Sequence, residues 1–188
     1  KYNLGRLVTW IGLMQVNFPI KSLSDFKVNK DGMIQCQIEG WMHRDEARVI
    51  EKTLQGRKNI LELGTYQGLS TSIIASFCDS DATITTVEVF EEQQSKAKQN
   101  LTSFENINYV QADSNEWLNK NKTKFDWVFI DHSHETFYMD ATLLAIANNL
   151  ERDHLVLLHD MHLPGVQGQT YKFASMMRIR NLGIGQLW

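Results

Sequence analysis

Ile60-Leu61-Glu62-Leu63-Gly64-Thr65-Tyr66-Gln67-Gly68-Leu69-Ser70-Thr71 decides the fold. The stretch opens apolar, carries one acid, passes two glycines and ends on two hydroxyls ahead of Ser72-Ile73-Ile74-Ala75-Ser76-Phe77. It reads as a buried strand, a tight glycine turn and a helix, with Ser70 or Thr71 as the helix cap. Glycine reaches positive φ and lets a ligand approach the backbone. The amides of the turn and of the helix N-terminus offer donors to a polar group. No Gly-Lys-Ser/Thr follows, so this is not a phosphate loop, and the spacing of Gly64 and Gly68 is not the dinucleotide fingerprint. A carboxylate at Glu62 would repel a pyrophosphate and attract a cation. That suits the ammonium of S-adenosylmethionine (SAM) better than NAD.

Outward from this stretch, strands and helices alternate. Thr83–Val87, Ile107–Val110, Trp127–Ile130 and Leu155–Leu158 are short apolar or β-branched runs, read as strands two to five after Ile60–Leu63. Residues 43–54 read as an amphipathic helix with Val49, Ile50, Thr53 and Leu54 on one face and Gly56 closing it. Residues 91–101, 114–118 and 139–150 read as further helices, with Ser114 as a cap. Continuous apolar strands alternating with helices predict a doubly wound, mostly parallel α/β sheet flanked by helices. Asn29-Lys30-Asp31-Gly32 is a turn.

In such sheets ligands bind beyond the C-terminal strand ends. The residues read there are Glu62, Glu88, Asp113, Asp131 and His159-Asp160, so every strand brings a carboxylate to one rim. Acids crowded on one rim call for cations or hydroxyls between them. Glu88 is placed to accept both ribose hydroxyls of a nucleoside, and Asp113-Ser114 to meet an adenine. Asp131-His132-Ser133-His134-Glu135 and His159-Asp160-Met161-His162 could together hold a divalent cation, with oxygen ligands favouring Mg²⁺ and imidazoles Zn²⁺, Fe²⁺ or Mn²⁺.

The 188 residues, 43% of them hydrophobic, suit one ordinary domain, and a net charge of −3 without a basic patch argues against nucleic acid. No apolar run is long enough for a bilayer and no signal peptide is visible, so no membrane partner is expected. Two cysteines, Cys36 and Cys78, fit a reducing, cytoplasmic setting. The chain begins at Lys1 rather than Met and reads as a piece that has lost its natural start. Residues 1–40, with the apolar run at 7–14, are expected to be a helical N-terminal segment serving as a lid or as a contact in a homo-oligomer, ahead of a cofactor-binding domain over 41–188.

The segment from Asn59 to Val166 resembles class I SAM-dependent O-methyltransferases. It resembles catechol O-methyltransferase in Leu61–Ser70, in Val87-Glu88, in Phe129–His132 and in Leu157–Asp160. It is similar also to a bacterial group of sugar and macrolide O-methyltransferases and proteins labelled cephalosporin hydroxylase. That likeness lies in Gly40-Trp41-Met42 with Glu46-Ala47, Ile130–His134, His159-Asp160 with Pro164-Gly165-Val166, and Leu182–Gly185. The resemblance implies a Rossmann-like methyltransferase fold. Glu62, Gly64, Tyr66, Gly68 and Ser70 would line the methionine part of SAM, and Glu88 would hold the ribose. Val89, Asp113 and Ser114 would flank the adenine, with His132 beside it. Asp131 would lie between SAM and a metal, most simply Mg²⁺, with Asp160 as second ligand. His134 stands where the catechol enzyme has its lysine base, and Met161 where that enzyme has a metal-binding Asn. The family closes its sheet with an antiparallel pair, for which Ile184–Trp188 is the candidate here. The expected reaction is methyl transfer to a hydroxyl of a small molecule such as a sugar, polyketide or phenol. The competing expectation is a non-catalytic SAM- or S-adenosylhomocysteine-binding module of a larger protein.

Overall fold

The computed structural model describes residues 15–160 together with Leu163 and Val166. The apolar run at 7–14, Met161, His162, Pro164-Gly165, the motif at 182–185 and the expected closing strand at 184–188 lie outside these residues.

Five strands form one sheet: β3 (Asn59–Leu63), β4 (Thr83–Glu88), β5 (Ile107–Gln111), β6 (Phe125–Ile130) and β7 (Leu150–Leu158). Two short strands, β1 (Lys27–Val28) and β2 (Ile34–Gln35), precede them as an antiparallel hairpin. The large sheet has the order β5-β4-β3-β6-β7 and all its pairs are parallel. Between the strands run α2 (Leu69–Phe77), α3 (Glu91–Asn100), α4 (Ser114–Lys120) and α5 (Thr136–Ile146), and α1 (Arg44–Thr53) precedes β3. This is the doubly wound architecture expected from the strand pattern.

Alternate side chains of each strand enter opposite cores. Ile60, Ile84, Trp127 and Phe129 join Ile50, Leu54, Ile73 and Ile74 on one face. Leu61, Leu63, Val128 and Ile130 join Leu118, Met139, Leu143 and Ile146 on the other. Being buried on both faces, the strands carry apolar residues without alternation.

Residues before α1 are part of this body. Val16, Ile20, Leu23 and Phe26 lie in the same core as Ile60 and Ile73. The helical character expected of residues 1–40 does not hold for their described part, which is a 3-10 turn and the hairpin. Asn29 makes the hairpin turn, its side chain accepting the amides of Asp31 and Met33 at 2.9 Å, and Gly32 takes φ +82°.

Two helix starts differ from expectation. The cap of α2 is Gly68, in the left-handed region and without a side-chain bond, because Ser70 and Thr71 turn their hydroxyls inward to Glu62. The cap of α4 is Asp113, whose carboxylate accepts the Glu116 amide at 2.9 Å, and Ser114 is the first helical residue. β7 starts at Leu150, so the helix expected to reach that residue ends earlier, in a 3-10 turn over Ala147–Asn149.

The chain runs outward from β3 to β5 and returns to β6 beside β3. The crevice at such a reversal is where open α/β sheets hold ligands. Ladder bonds continue one residue past the strand ends: Gly64 N donates to Val87 O at 2.9 Å, Asp131 N to Leu63 O at 2.8 Å and His159 N to Ile130 O at 3.0 Å. These bonds bring Gly64, Asp131 and His159 level on one rim.

Candidate active site

A cavity of about 540 Å³ opens on this rim, within the usual size for a small-molecule site. Gly64, Tyr66 and Ser70 after β3, Glu88 and Val89 after β4, and Asp113 and Ser114 after β5 line it. Asp131, His132 and His134 after β6 and Asp160 after β7 line it as well, all of them expected from the sequence. Glu62 and Gly68 are not among the lining residues.

Glu62 is wholly buried. Its carboxylate accepts the hydroxyls of Ser70 and Thr86 at 2.6 Å and that of Thr71. Burial pushes its pKa up to about 7 against these three donors. The rim position expected for it is corrected: the acid ties the start of α2 to β3 and β4 from below the cavity. Gly68 is likewise required by the protein's own packing, since a Cβ there, at φ +92°, would meet Leu101 Cδ1 at 2.8 Å. At Gly64, with φ +98°, a Cβ would fall on the carbonyl oxygen of Asp131.

The turn after Gly64 is held by Glu88, whose Oε2 accepts the Tyr66 amide and Oε1 the Phe90 amide, both at 2.9 Å. Tyr66 adopts φ +47°, a strained value for a residue with a Cβ. Its hydroxyl donates to Glu39 at 2.8 Å. Asp113 accepts the Tyr138 hydroxyl at 2.6 Å. Burial would raise the Asp113 carboxyl, but the Tyr138 hydroxyl and the α4 amides hold it below its usual value. His132 Nδ1 faces the Ser133 carbonyl at 3.1 Å and Nε2 the Thr142 hydroxyl at 2.9 Å. Its ring stands edge-on to Tyr138 at 5.0 Å. Burial lowers its pKa, so the ring is neutral near pH 7.

At the other end of the cavity, Asp131, His134 and Asp160 each offer a ligand atom within 4.8 Å of the others. His134 Nε2 lies 3.2 Å from Asp160 Oδ2 and 3.7 Å from Asp131 Oδ1. The nitrogen is buried beside these two carboxylates. Asp160 sits at φ +52°, a second strained backbone on this rim.

His159 stands behind both acids, with Nδ1 at 3.1 Å from Asp131 Oδ1 and 3.3 Å from Asp160 Oδ2. Its Nε2 faces Glu46 Oε2 at 3.4 Å. Burial would lower the His159 pKa, but the three carboxylates push it up to about 12. Burial would raise Asp131, but the His134 and His159 imidazoles hold it at about 2. Asp160 is lowered by His159 against burial, and His134 is raised by Asp131 against burial. Asp131 and Asp160 are therefore ionised at neutral pH, side by side. Such a pair, with an imidazole nitrogen beside it, fits a divalent cation.

Sequence reasoning gave no role to Glu39 or Tyr138, counted Glu46 only within the family resemblance, and placed His159 in the segment that could hold a cation. His159 was legible beside Asp160. Glu46 shows only as the capping-box acid of α1, accepting the His43 amide at 2.7 Å. Glu39 and Tyr138 carry no motif.

A methyltransferase-domain family model matches residues 61–161. The ribosomal RNA large subunit methyltransferase K/L of Colwellia psychrerythraea is 31% identical over 122 residues, covering 63% of this chain and 16% of that protein. Catechol O-methyltransferase B of Danio rerio is 28% identical over 117 residues, covering 58% of this chain and 44% of that protein. This chain thus spans less than half the length of either relative. The crystal structure of the O-methyltransferase TomG from Streptomyces achromogenes, involved in tomaymycin synthesis and solved with SAM, superimposes with a TM-score of 0.60 at 19% identity. The match covers 74% of this chain and 70% of that one, and it carries the fold.

Proposed function

The chain belongs to this methyltransferase-domain family, and from that premise we propose that it transfers the methyl group of SAM to a hydroxyl of a small molecule, assisted by a divalent cation. The observation that carries the reading is the convergence of Asp131, His134 and Asp160 in the cavity that also presents Glu88. TomG and the fish relative are named O-methyltransferases, and TomG was solved with SAM. The bacterial relative is named for ribosomal RNA, but a polyanion is a poor partner for this cavity, in which no lysine or arginine is among the described lining residues.

In this reading SAM lies along the rim. Each Glu88 oxygen already accepts one backbone amide and keeps a lone pair for a ribose hydroxyl. Val89, Ser114 and His132 flank the adenine beside Asp113, and the Gly64 turn with Tyr66 and Ser70 borders the methionine part. Asp131 and Asp160 would hold the cation, with Mg²⁺ favoured by their oxygen donors. When bound, such a cation supplies positive charge that makes the acceptor hydroxyl more acidic.

The methyl group of a sulfonium is already activated. The protein's task is to hold an oxygen in line with it and to take the proton. Orientation contributes up to about 7–11 kcal/mol in well-placed systems. His134 receives the proton at Nε2, the atom that faces Asp131 and Asp160.

The test is methyl transfer from labelled SAM to a hydroxylated acceptor, run with Mg²⁺ and after exhaustive chelation. Transfer that requires the cation supports the reading. Full activity under chelation removes the cation from it, and labelling at nitrogen or carbon removes the O-transfer.

A further inference from the structure

Glu62, the acid expected to attract the ammonium of SAM, cannot reach it. It is wholly buried, its carboxylate accepts the hydroxyls of Ser70, Thr71 and Thr86, and it does not line the cavity. An ammonium that leaves water still needs an acid beside it. Six carboxylates do line the cavity, those of Glu39, Glu88, Asp113, Asp131, Glu135 and Asp160. Glu88 holds the Tyr66 and Phe90 amides at the ribose end, and Asp113 accepts the Tyr138 hydroxyl at the adenine end. Asp131 and Asp160 are faced by His134 and His159, and Glu135 follows His134 at the start of α5. Glu39 alone of the six lies beside the turn that borders the methionine part.

The chain is built to bring it there. Ile38, just before it, is buried in the core at 3% exposure. Gly40, just after it, allows the segment to close on the first residue of α2, since a Cβ there would meet Leu69 Cβ at 2.9 Å. Glu39 Oε1 then accepts the Tyr66 hydroxyl at 2.8 Å, and Oε2 accepts the Gln67 side-chain amide at 3.0 Å. Tyr66, in its strained backbone at φ +47°, gives its own amide to Glu88 at 2.9 Å. One residue thus joins the ribose acid to Glu39.

Both donors to Glu39 are neutral. The bond to Glu39 pushes the pKa of the Tyr66 hydroxyl up, which keeps that group a donor. Lys96 feels the charge of Glu39 but gives its ammonium to Glu92 at 2.8 Å. The carboxylate is therefore fixed in place while its charge stands on the cavity wall, and each oxygen keeps a lone pair for a further donor. An ammonium brings three donors and the opposite charge, and such charge-assisted bonds are about twice as strong as neutral ones.

We infer that Glu39 seats the α-ammonium of SAM. The segment ahead of α1, outside the residues that the family model matches, then completes the cofactor site. This rests on the reading of the cavity as the SAM site. It gives the ammonium to a residue that no strand end supplies, and it leaves Asp131 and Asp160 to the cation.

The experiment is calorimetry at pH 7 with two ligands that differ in one group. They are S-adenosylhomocysteine and its 2-oxo analogue, in which a ketone replaces the amine while the adenosine, sulfur and carboxylate remain. The wild type should bind S-adenosylhomocysteine at least about tenfold more tightly than the analogue. Glu39→Gln should cut this preference to about threefold or less, by weakening S-adenosylhomocysteine while the analogue stays within about twofold of its wild-type affinity. Glu39→Lys should abolish the preference or reverse it. Glu39 is exposed, and Gln keeps an oxygen for the Tyr66 hydroxyl, so neither change strains the core. Thermal melts check that both variants fold, and either one alone decides. No preference in the wild type, or a preference that survives the substitutions, overturns the inference. Binding of neither ligand by folded wild-type protein removes the underlying reading, and the inference with it.

Discussion

Nε2 of His134 lies 3.2 Å from Oδ2 of Asp160 and 3.7 Å from Oδ1 of Asp131. The contact joins the loop after β6 to the end of β7. The two carboxylates raise the pKa of the imidazole, Asp131 first, against burial. A cation on the acids frees the nitrogen to accept a proton. His134→Ala should therefore lower kcat by about 10²–10⁴-fold while SAM affinity stays near that of the wild type. Steady-state kinetics at saturating SAM, with calorimetry for SAM, check this. Turnover at the wild-type rate would make His134 a structural residue.

The same geometry makes the choice of metal consequential. Mg²⁺ prefers oxygen and leaves the imidazole free, whereas Zn²⁺ binds nitrogen and would occupy the proton acceptor. Adding Zn²⁺ to the Mg²⁺-loaded protein should inhibit methyl transfer. Asp160→Asn should abolish the Mg²⁺-dependent part of the rate without refolding the loop, because Asn tolerates the left-handed backbone found here at φ +52°. Asp160→Ala should cost stability as well. Activity assays across the metals, with thermal melts of both variants, separate the two effects.

Glu62 gives the protein a pH-dependent stability. Its folded-state pKa, about 7, lies above the ordinary carboxyl value of 4.5. As pH rises from about 4.5 the unfolded chain releases this proton while the folded chain keeps it, so the unfolded state gains. The loss is complete above the folded pKa. By linkage the contribution is about 2–3 kcal/mol between pH 5 and pH 8. Glu62→Gln should lack it, so the stability difference between variant and wild type should move toward the variant by that amount. Urea unfolding of both at pH 5 and pH 8 measures the change.

Gly68→Ala should lower stability by about 1–3 kcal/mol, from the positive φ and from the contact with Leu101. The folded variant should bind SAM nearly as the wild type does, because this glycine is not among the lining residues of the cavity. Gly64→Ala should damage both stability and binding, since its Cβ displaces the Asp131 carbonyl. Denaturant midpoints paired with SAM titrations distinguish the two glycines.

The strands were legible because a strand buried on both faces must be apolar throughout, and Leu61, Leu63, Val128 and Ile130 sit as their pattern requires. The start of β7 was not legible, because Glu151-Arg152-Asp153 is exposed and polar and lies in the irregular stretch between the Leu150 and Leu155 pairings with β6. The rim acids Glu88, Asp113, Asp131 and Asp160 followed from the rule that ligands gather at strand ends. Glu62 escaped that rule, because its side chain points beneath the rim toward hydroxyls that the sequence could equally assign to capping. The same ambiguity hid the true cap of α4, where Asp113 and Ser114 are both good caps. Glu46 meets His159, and Glu39 meets Tyr66, only through the tertiary fold, and no spacing along the chain encodes either meeting.

SAM binding by calorimetry, in the wild-type protein and in Glu88→Ala, tests the central claim most directly. Glu88 accepts two backbone amides at the rim and keeps lone pairs for a ribose. The wild type should bind SAM and S-adenosylhomocysteine and not NADH, and Glu88→Ala should bind both at least about tenfold more weakly, the loss of a buried charged acceptor being worth about 1.5–3 kcal/mol. No heat of binding from folded wild-type protein, or NADH bound in place of SAM, would contradict the assignment.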